Sequence, residues 1–255
     1  MHITNSFKKI CLRILLYILF LLFISLFIVS FIQIITYFKD SYKNSIVLND
    51  IKKNIVVEKK EDNNLKNDNT YNINFDNLKK QNEDTVGFLK VNGIDIETIV
   101  VKTKDNNYYL THNFEKQRNK SGWIFMDYRN KLDGSDKNII IYGHNMRNGT
   151  MFASLKNILD DSWLENKENH SIIFKTEEKR TIYKVFSVYQ IEKEDYYLKT
   201  EFRDSEFKTF INTLKERSSY NFDVDIDEND NILTLTTCAN NNKFRIVLHA
   251  KEIVK

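Results

Sequence analysis

Cys238 closes the run Thr234-Leu235-Thr236-Thr237-Cys238, and Arg245 follows after a stretch of asparagines. A thiol becomes an acyl-transfer nucleophile when it ionises. A nearby guanidinium favours the thiolate and offers a planar fork of donors to an oxygen that gains negative charge. With residues 231–238 in a strand, Thr234, Thr236 and Cys238 fall on one face, and Leu233 and Leu235 on the other. Residues 239–243 read Ala-Asn-Asn-Asn-Lys, a short turn-forming stretch, so a hairpin returns Arg245 to the neighbourhood of Cys238. Each residue alone has plainer readings: Cys238 as a buried small apolar group or an intermolecular bridge, Arg245 as a strand cap or a partner of Asp223.

Acid/base work calls for an imidazole, and the chain has five histidines. His144 is the best placed, because it follows the apolar run 138–142 between Gly143 and Asn145, where glycine permits a sharp exit from a strand. His112 and His170 lie in polar, loop-like contexts and read as surface or packing residues. His249 shares strand parity with Arg245 and is the reserve candidate. No spacing of Cys, His, Asp and Glu suits a metal, so neither metal nor cofactor is expected.

These residues need elements to hold them. Short β-patterned runs at 85–91, 95–101, 122–127, 138–142, 171–175, 180–190, 231–238 and 244–254 predict eight strands, a mainly β, α+β domain built as a barrel or sandwich. Two helical stripes interrupt them: Phe152, Leu155, Leu159 and Trp163, then Phe207, Phe210, Ile211 and Leu214, the second crossing over the barrel. All six glycines fall between Gly87 and Gly149 and there is no proline, so turns rely on Gly, Asn and Asp.

Residues 14–38 carry no charge. About 25 helical residues rising roughly 1.5 Å each span a hydrocarbon core of about 30 Å. The run is bulky throughout and lacks a small-residue cleavage site, which favours a retained anchor over a signal peptide. Lys8, Lys9 and Arg13 precede it with no acidic residue, so the positive-inside bias predicts a cytoplasmic N-terminus, with His2 and Cys11 inside and Cys238 outside. The two cysteines then cannot pair. Three of the 38 basic residues precede the span and the rest balance the 35 acidic ones, so no nucleic-acid partner is indicated. The expected organisation is a cytoplasmic N-terminus at 1–13, a transmembrane anchor at 14–38, a polar stalk with short helices at 39–84, and a catalytic domain at 85–255. Within the stalk Leu48, Ile51 and Ile55 hint at one helix, and Phe75 and Leu78 at another.

The run Thr-Leu-Thr-Thr-Cys238, followed by Arg245 in Arg-Ile-Val-Leu-His-Ala-Lys, resembles the sortase signature Thr-Leu-x-Thr-Cys. Over about residues 72–253 the chain resembles class B sortases. The matching segments are 77–89; 105–114 with Tyr108, Tyr109, Leu110 and His112; 124–129; 141–146 as Ile-Tyr-Gly-His-Asn-Met; and the amphipathic segment 205–217 before the cysteine strand. The resemblance implies an eight-stranded sortase-type barrel with N-terminal helices and a long helix before the cysteine strand. It implies Cys238 as nucleophile, His144 as acid/base and Arg245 as oxyanion stabiliser, with Thr236, Thr237 and Tyr128 near bound substrate.

By the same resemblance the substrates are secreted proteins with a C-terminal sorting signal, cut after threonine. The acceptor is the amine of a peptidoglycan precursor, or a pilin lysine in pilus-building members. The expected state is a single-pass membrane protein with a monomeric extracellular domain. A secreted cysteine protease and a non-enzymatic tethered module are the rival readings. The chain departs from the family pattern at Ile96-Glu97-Thr98-Ile99, where a proline is common, and in its short Cys-to-Arg loop; both bear on the shape of the substrate groove.

Overall fold

The uncharged N-terminal run lies within one helix, α1 (His2–Lys52). The structure, a computed structural model, describes residues 2–59, 69–203, 205–239 and 243–254. They divide into two units, 1–43 and 44–255. In the first, Leu, Ile and Phe side chains are exposed all round the helix, and an 18-residue window reaches a mean hydropathy of 3.0, long and apolar enough to cross a membrane. Ser25 and Thr36 donate their hydroxyls to the carbonyls of Leu22 and Ile32 (2.7 and 2.8 Å), so neither is an unmet donor in an apolar setting.

The second unit opens in the last turns of α1, where Asn44, Val47 and Ile51 are buried at i, i+3, i+7 spacing. An antiparallel hairpin follows, β1 (Ile55–Lys59) with β2 (Asn69–Ile73), in a segment whose composition predicted short helices only. Helix α2 (Phe75–Gln81) starts at Asn74, whose side chain accepts from the amide of Asn77, and buries Phe75 and Leu78 as their spacing predicted.

The remaining strands are β3 (Thr85–Val91), β4 (Ile96–Val101), β5 (Phe125–Met126), β6 (Asn138–Gly143), β7 (Ser171–Lys175), β8 (Arg180–Glu192), β9 (Ile232–Ala239) and β10 (Phe244–Val254). They close into a barrel in the order β10-β8-β7-β3-β4-β5-β6-β9. The pairs β4–β5 and β6–β9 are parallel, the others antiparallel. The run expected at 122–127 shortens to two residues because Gly122, at φ 58°, bends the chain. There the amide of Trp123 turns to the carbonyl of Tyr109 (2.9 Å) instead of a strand. The first predicted helix is also broken: a 3₁₀ segment (Ala153–Leu159) and α3 (Asp161–Leu164) are separated by Asp160 in an extended conformation. The second is α4 (Glu206–Glu216), a crossover between β8 and β9.

Strands β9 and β10 form a wall buried on both sides. Leu233, Leu235, Ile246, Leu248 and Ala250 join the barrel core. Ile232 and Val247 join a second cluster with Phe207, Phe210, Ile211 and Leu214 of α4. Residues of opposite parity therefore enter different cores, and this is what fixes the register of the wall.

Candidate active site

In the barrel order β9 lies between β6 and β10, so the strand that ends in Cys238 has a neighbour on each edge. On one edge Arg245 is the direct Cα partner of Cys238 in the antiparallel pair. Residues so opposed have Cα atoms about 4.5–5.5 Å apart. On the other edge the parallel pairing ends with Gly143 opposite Thr237. His144 and Cys238 are each one residue beyond that last rung. The side chain of Cys238 and the asparagine turn at 240–242 lie outside the described residues. Arg245 is half-buried and donates from Nη1 to the carbonyl of Phe244 (2.9 Å).

His144 is held at three points. Its carbonyl accepts from the amide of Phe152 (2.9 Å), its Nε2 bonds to the carbonyl of Leu110 (2.8 Å), and its ring edge lies against Gly122, where an added Cβ would come within 3.0 Å of Cδ2. A carbonyl oxygen only accepts, so the partner assigns the proton to Nε2. Nδ1 is the ring nitrogen that this bond does not use. The glycine before His144 is required by packing: a Cβ on Gly143 would stand 2.6 Å from the buried ring of Phe152.

The other described histidines are placed otherwise. His249 is fully buried, with Nε2 on the hydroxyl of Tyr189 (2.8 Å) and Nδ1 on that of Thr234 (2.9 Å). Burial, with the charge of Arg217 nearby, depresses its pKa to about 3. His170 is buried among Trp163, Tyr220 and Phe222, and desolvation lowers its pKa. His112 stacks on Tyr108 at a centroid distance of 4.1 Å and bonds through Nδ1 to that residue's carbonyl (2.8 Å).

The polar face of β9 is covered rather than open. Thr234 donates to Asn138 Oδ1 (2.7 Å), and Thr236 shares a hydrogen bond with the hydroxyl of Tyr197 (3.2 Å). Thr237 is buried and its hydroxyl has no hydrogen-bond partner among the described residues, whereas Tyr128 is 48% exposed.

Sequence patterns did not single out Asp127, which has no exposed surface and gathers the site's flank. It accepts from Arg129 Nε and Nη2 (2.8 and 2.7 Å), Tyr142 Oη (2.7 Å) and Asn106 Nδ2 (3.0 Å). Burial alone would raise its carboxyl, but the hydrogen bonds from Arg129 and Tyr142 outweigh it and hold the group below the usual carboxylate range. Burial and the Asp127 charge push the Tyr142 hydroxyl well above its ordinary value. Tyr142, two residues before His144, is thereby tied to β5's end as a neutral donor.

A closed eight-stranded barrel with a Thr-Leu-Thr-Thr-Cys strand set between a histidine loop and an arginine strand defines a cysteine acyltransferase. The profile of the Sortase domain matches residues 89–253, and the chain belongs to the sortase family, which are cysteine transpeptidases. Within that family the similarity is to sortase B. The Sortase B of Listeria monocytogenes is 38% identical over 184 residues, covering 70% of this chain and 73% of the relative. Sortase B of Clostridium perfringens superposes with a TM-score of 0.66 at 40% identity, covering 71% of this chain and 100% of that one. The Staphylococcus aureus sortase B-substrate complex superposes with a TM-score of 0.65 at 36% identity, covering 70% and 84%, and a sortase B is also solved complexed with triglycine.

Proposed function

We propose that this chain cleaves a C-terminal sorting signal after threonine and transfers the new carboxyl end to the amine of a peptidoglycan precursor. The observation that carries the reading is the register of β9, with Arg245 opposite Cys238 on one edge and the His144 loop beginning beside Thr237 on the other. The thiolate of Cys238 attacks the threonine carbonyl, forming an S–C bond, while the guanidinium of Arg245 stabilises the oxyanion. As the tetrahedral adduct collapses, the C–N bond breaks and protonated His144 donates from Nδ1 to the departing amine. A thioester remains. The incoming amine attacks it, neutral His144 takes the amine proton at Nδ1, and the C–S bond breaks to return the thiolate. The Nε2–H of His144 stays on Leu110 through both protonation states, so the ring keeps its orientation.

The sortase B complexes, one with substrate and one with triglycine, support the two halves of this cycle for the present chain. Thr236, Thr237 and Tyr128 are proposed to meet the peptide backbone; Tyr128 is the exposed one of the three, and Thr237 carries a buried hydroxyl without a hydrogen-bond partner among the described residues. The proposed organisation is a cytoplasmic 1–13, an anchor at 14–38, a connecting stalk at 39–84 and an extracellular catalytic domain at 85–255. Lys8, Lys9 and Arg13 support that orientation.

The test incubates the full chain in detergent with a panel of sorting-signal peptides, with and without triglycine, and identifies products by mass. Cleavage after threonine with ligation to the amine is expected, and none in Cys238→Ala of unchanged melting temperature. Hydrolysis alone at saturating amine would overturn transfer, and undiminished cleavage by Cys238→Ala would remove Cys238 from the mechanism.

A further inference from the structure

The segment that holds the His144 ring is itself held from behind. Residues 109–111 present three successive carbonyls: Tyr109 accepts from the amide of Trp123 (2.9 Å), Leu110 from Nε2 of His144 (2.8 Å), and Thr111 from the amide of Asn119 (2.8 Å). The turn 119–123 therefore grips this segment on both sides of the carbonyl that orients His144. Gly122, in that turn, lies so close that a Cβ would stand 2.3 Å from the carbonyl oxygen of Tyr109 and 3.0 Å from both that of Leu110 and Cδ2 of His144.

The turn is anchored from outside the barrel. Asn119 caps it, with Oδ1 accepting from the amide of Ser121 (2.9 Å) and its carbonyl accepting from that of Gly122 (3.1 Å). Its Nδ2 donates to Oδ1 of Asn44 (2.9 Å), and Asn44 Nδ2 reaches the carbonyl of Gly122 (3.4 Å). Asn44 has no exposed surface, and Asn119 and Ser121 almost none. Buried amides that lose a partner are costly, so this pair fixes a geometry as well as an energy.

We infer that Asn44, in the helix that follows the apolar span, is a positioning residue for transpeptidation: through Asn119 and Gly122 it sets the Leu110 carbonyl and the ring plane of His144. This rests on the proposed role of His144. Of this helix, Asn44 then serves the catalytic apparatus, while its neighbours Val47 and Ile51 serve the core. Misplacement of a reacting group by about 1 Å can cost around a hundredfold in rate, so a loosened turn reads out in turnover before it reads out in peptide affinity.

The test measures kcat, KM and the pH dependence of transpeptidation for the full chain in detergent. Asn44→Leu and Gly122→Ala are each expected to lower kcat about tenfold or more with KM little changed, and to shift the pH profile. The double variant should lose no more than the worse single one, as expected when two residues act through one group. Val47→Ala, on the same helix but outside this network, should lower the melting temperature and leave kcat intact. If Asn44→Leu does not fold, Asn44→Asp keeps the acceptor for Asn119, loses the donor to Gly122, and serves in its place. Wild-type kcat in the folded variant, losses that multiply, or an equal kcat loss in Val47→Ala overturns the inference alone. Cleavage that survives His144→Ala overturns the role of His144 and this inference with it.

Discussion

His144 has its backbone, its distal nitrogen and its ring edge each fixed by a different segment, so small changes beside it should act on rate more than on folding. Gly143→Ala places a methyl against the ring of Phe152, which has no exposed surface into which to retreat. On the acid/base role proposed for His144, we expect kcat in the peptide ligation assay to fall at least tenfold, since misplacing a reacting group by about 1 Å can cost around a hundredfold. Arg245 is opposite Cys238 in the ladder, and the oxyanion role proposed for it calls on the donor fork as well as the charge. Arg245→Ala should lower kcat by about 10²–10³, the usual effect of removing an oxyanion donor. Arg245→Lys should restore only a small part, and full activity with lysine would show that charge alone suffices.

The elements around the site explain why β9 stays in register. Its inward leucines enter the barrel core, while Thr234 meets Asn138 and His249 and Thr236 meets Tyr197. Leu214 of α4 is fully buried in that second cluster, and Leu214→Ala should cost about 2–5 kcal/mol in a urea-unfolding measurement. A loss below about 1 kcal/mol would mean that α4 contributes little to holding the wall. Most of this scaffold was legible in the sequence: strands 85–91, 171–175 and 244–254 end where alternation placed them, and α4 follows its four-residue stripe. Cys238, Arg245 and His144 were legible as motif words, with the register of the three strands supplied by the structure. The clamp on His144 was not, because its principal contact is the carbonyl of Leu110, which every residue type possesses. Asn44 was hidden differently, as one asparagine in a polar segment where composition carries no sign of burial. The hairpin of β1 and β2 carried no period-2 pattern: β1 opens on three consecutive apolar residues, Ile55, Val56 and Val57, and β2 is a five-residue, mostly polar run.

At the scale of the whole molecule, the buried histidines set a response to acid. His249 has a folded pKa of about 3, below its ordinary value of 6.5, and His170 is shifted in the same direction. Below about pH 6.5 the unfolded chain binds protons there that the folded one refuses, so stability is full above that pH and falls as pH drops toward the folded values. Each such proton contributes a slope of up to about 1.4 kcal/mol per pH unit. Urea midpoints measured between pH 7.5 and 5 should decline, and His249→Gln should flatten the decline. A slope identical in wild type and variant would remove His249 from the effect.

The parallel pairing of β6 with β9 joins residues 138–143 to 232–237, the most distant partners along the chain of any two strands in the barrel. Closing so large a loop is entropically unfavourable until other contacts have gathered its ends, so contacts of this kind form late in folding. His144 leaves one of these strands and Cys238 ends the other. With the roles proposed for Cys238 and His144, folding acts as a timer on reactivity: a newly made chain has the proposed nucleophile and its proposed acid/base partner on segments that have not yet met. Recovery of ligation activity after dilution from urea should accordingly track the slowest refolding phase, and activity that returns ahead of it would show that the site assembles before the barrel closes.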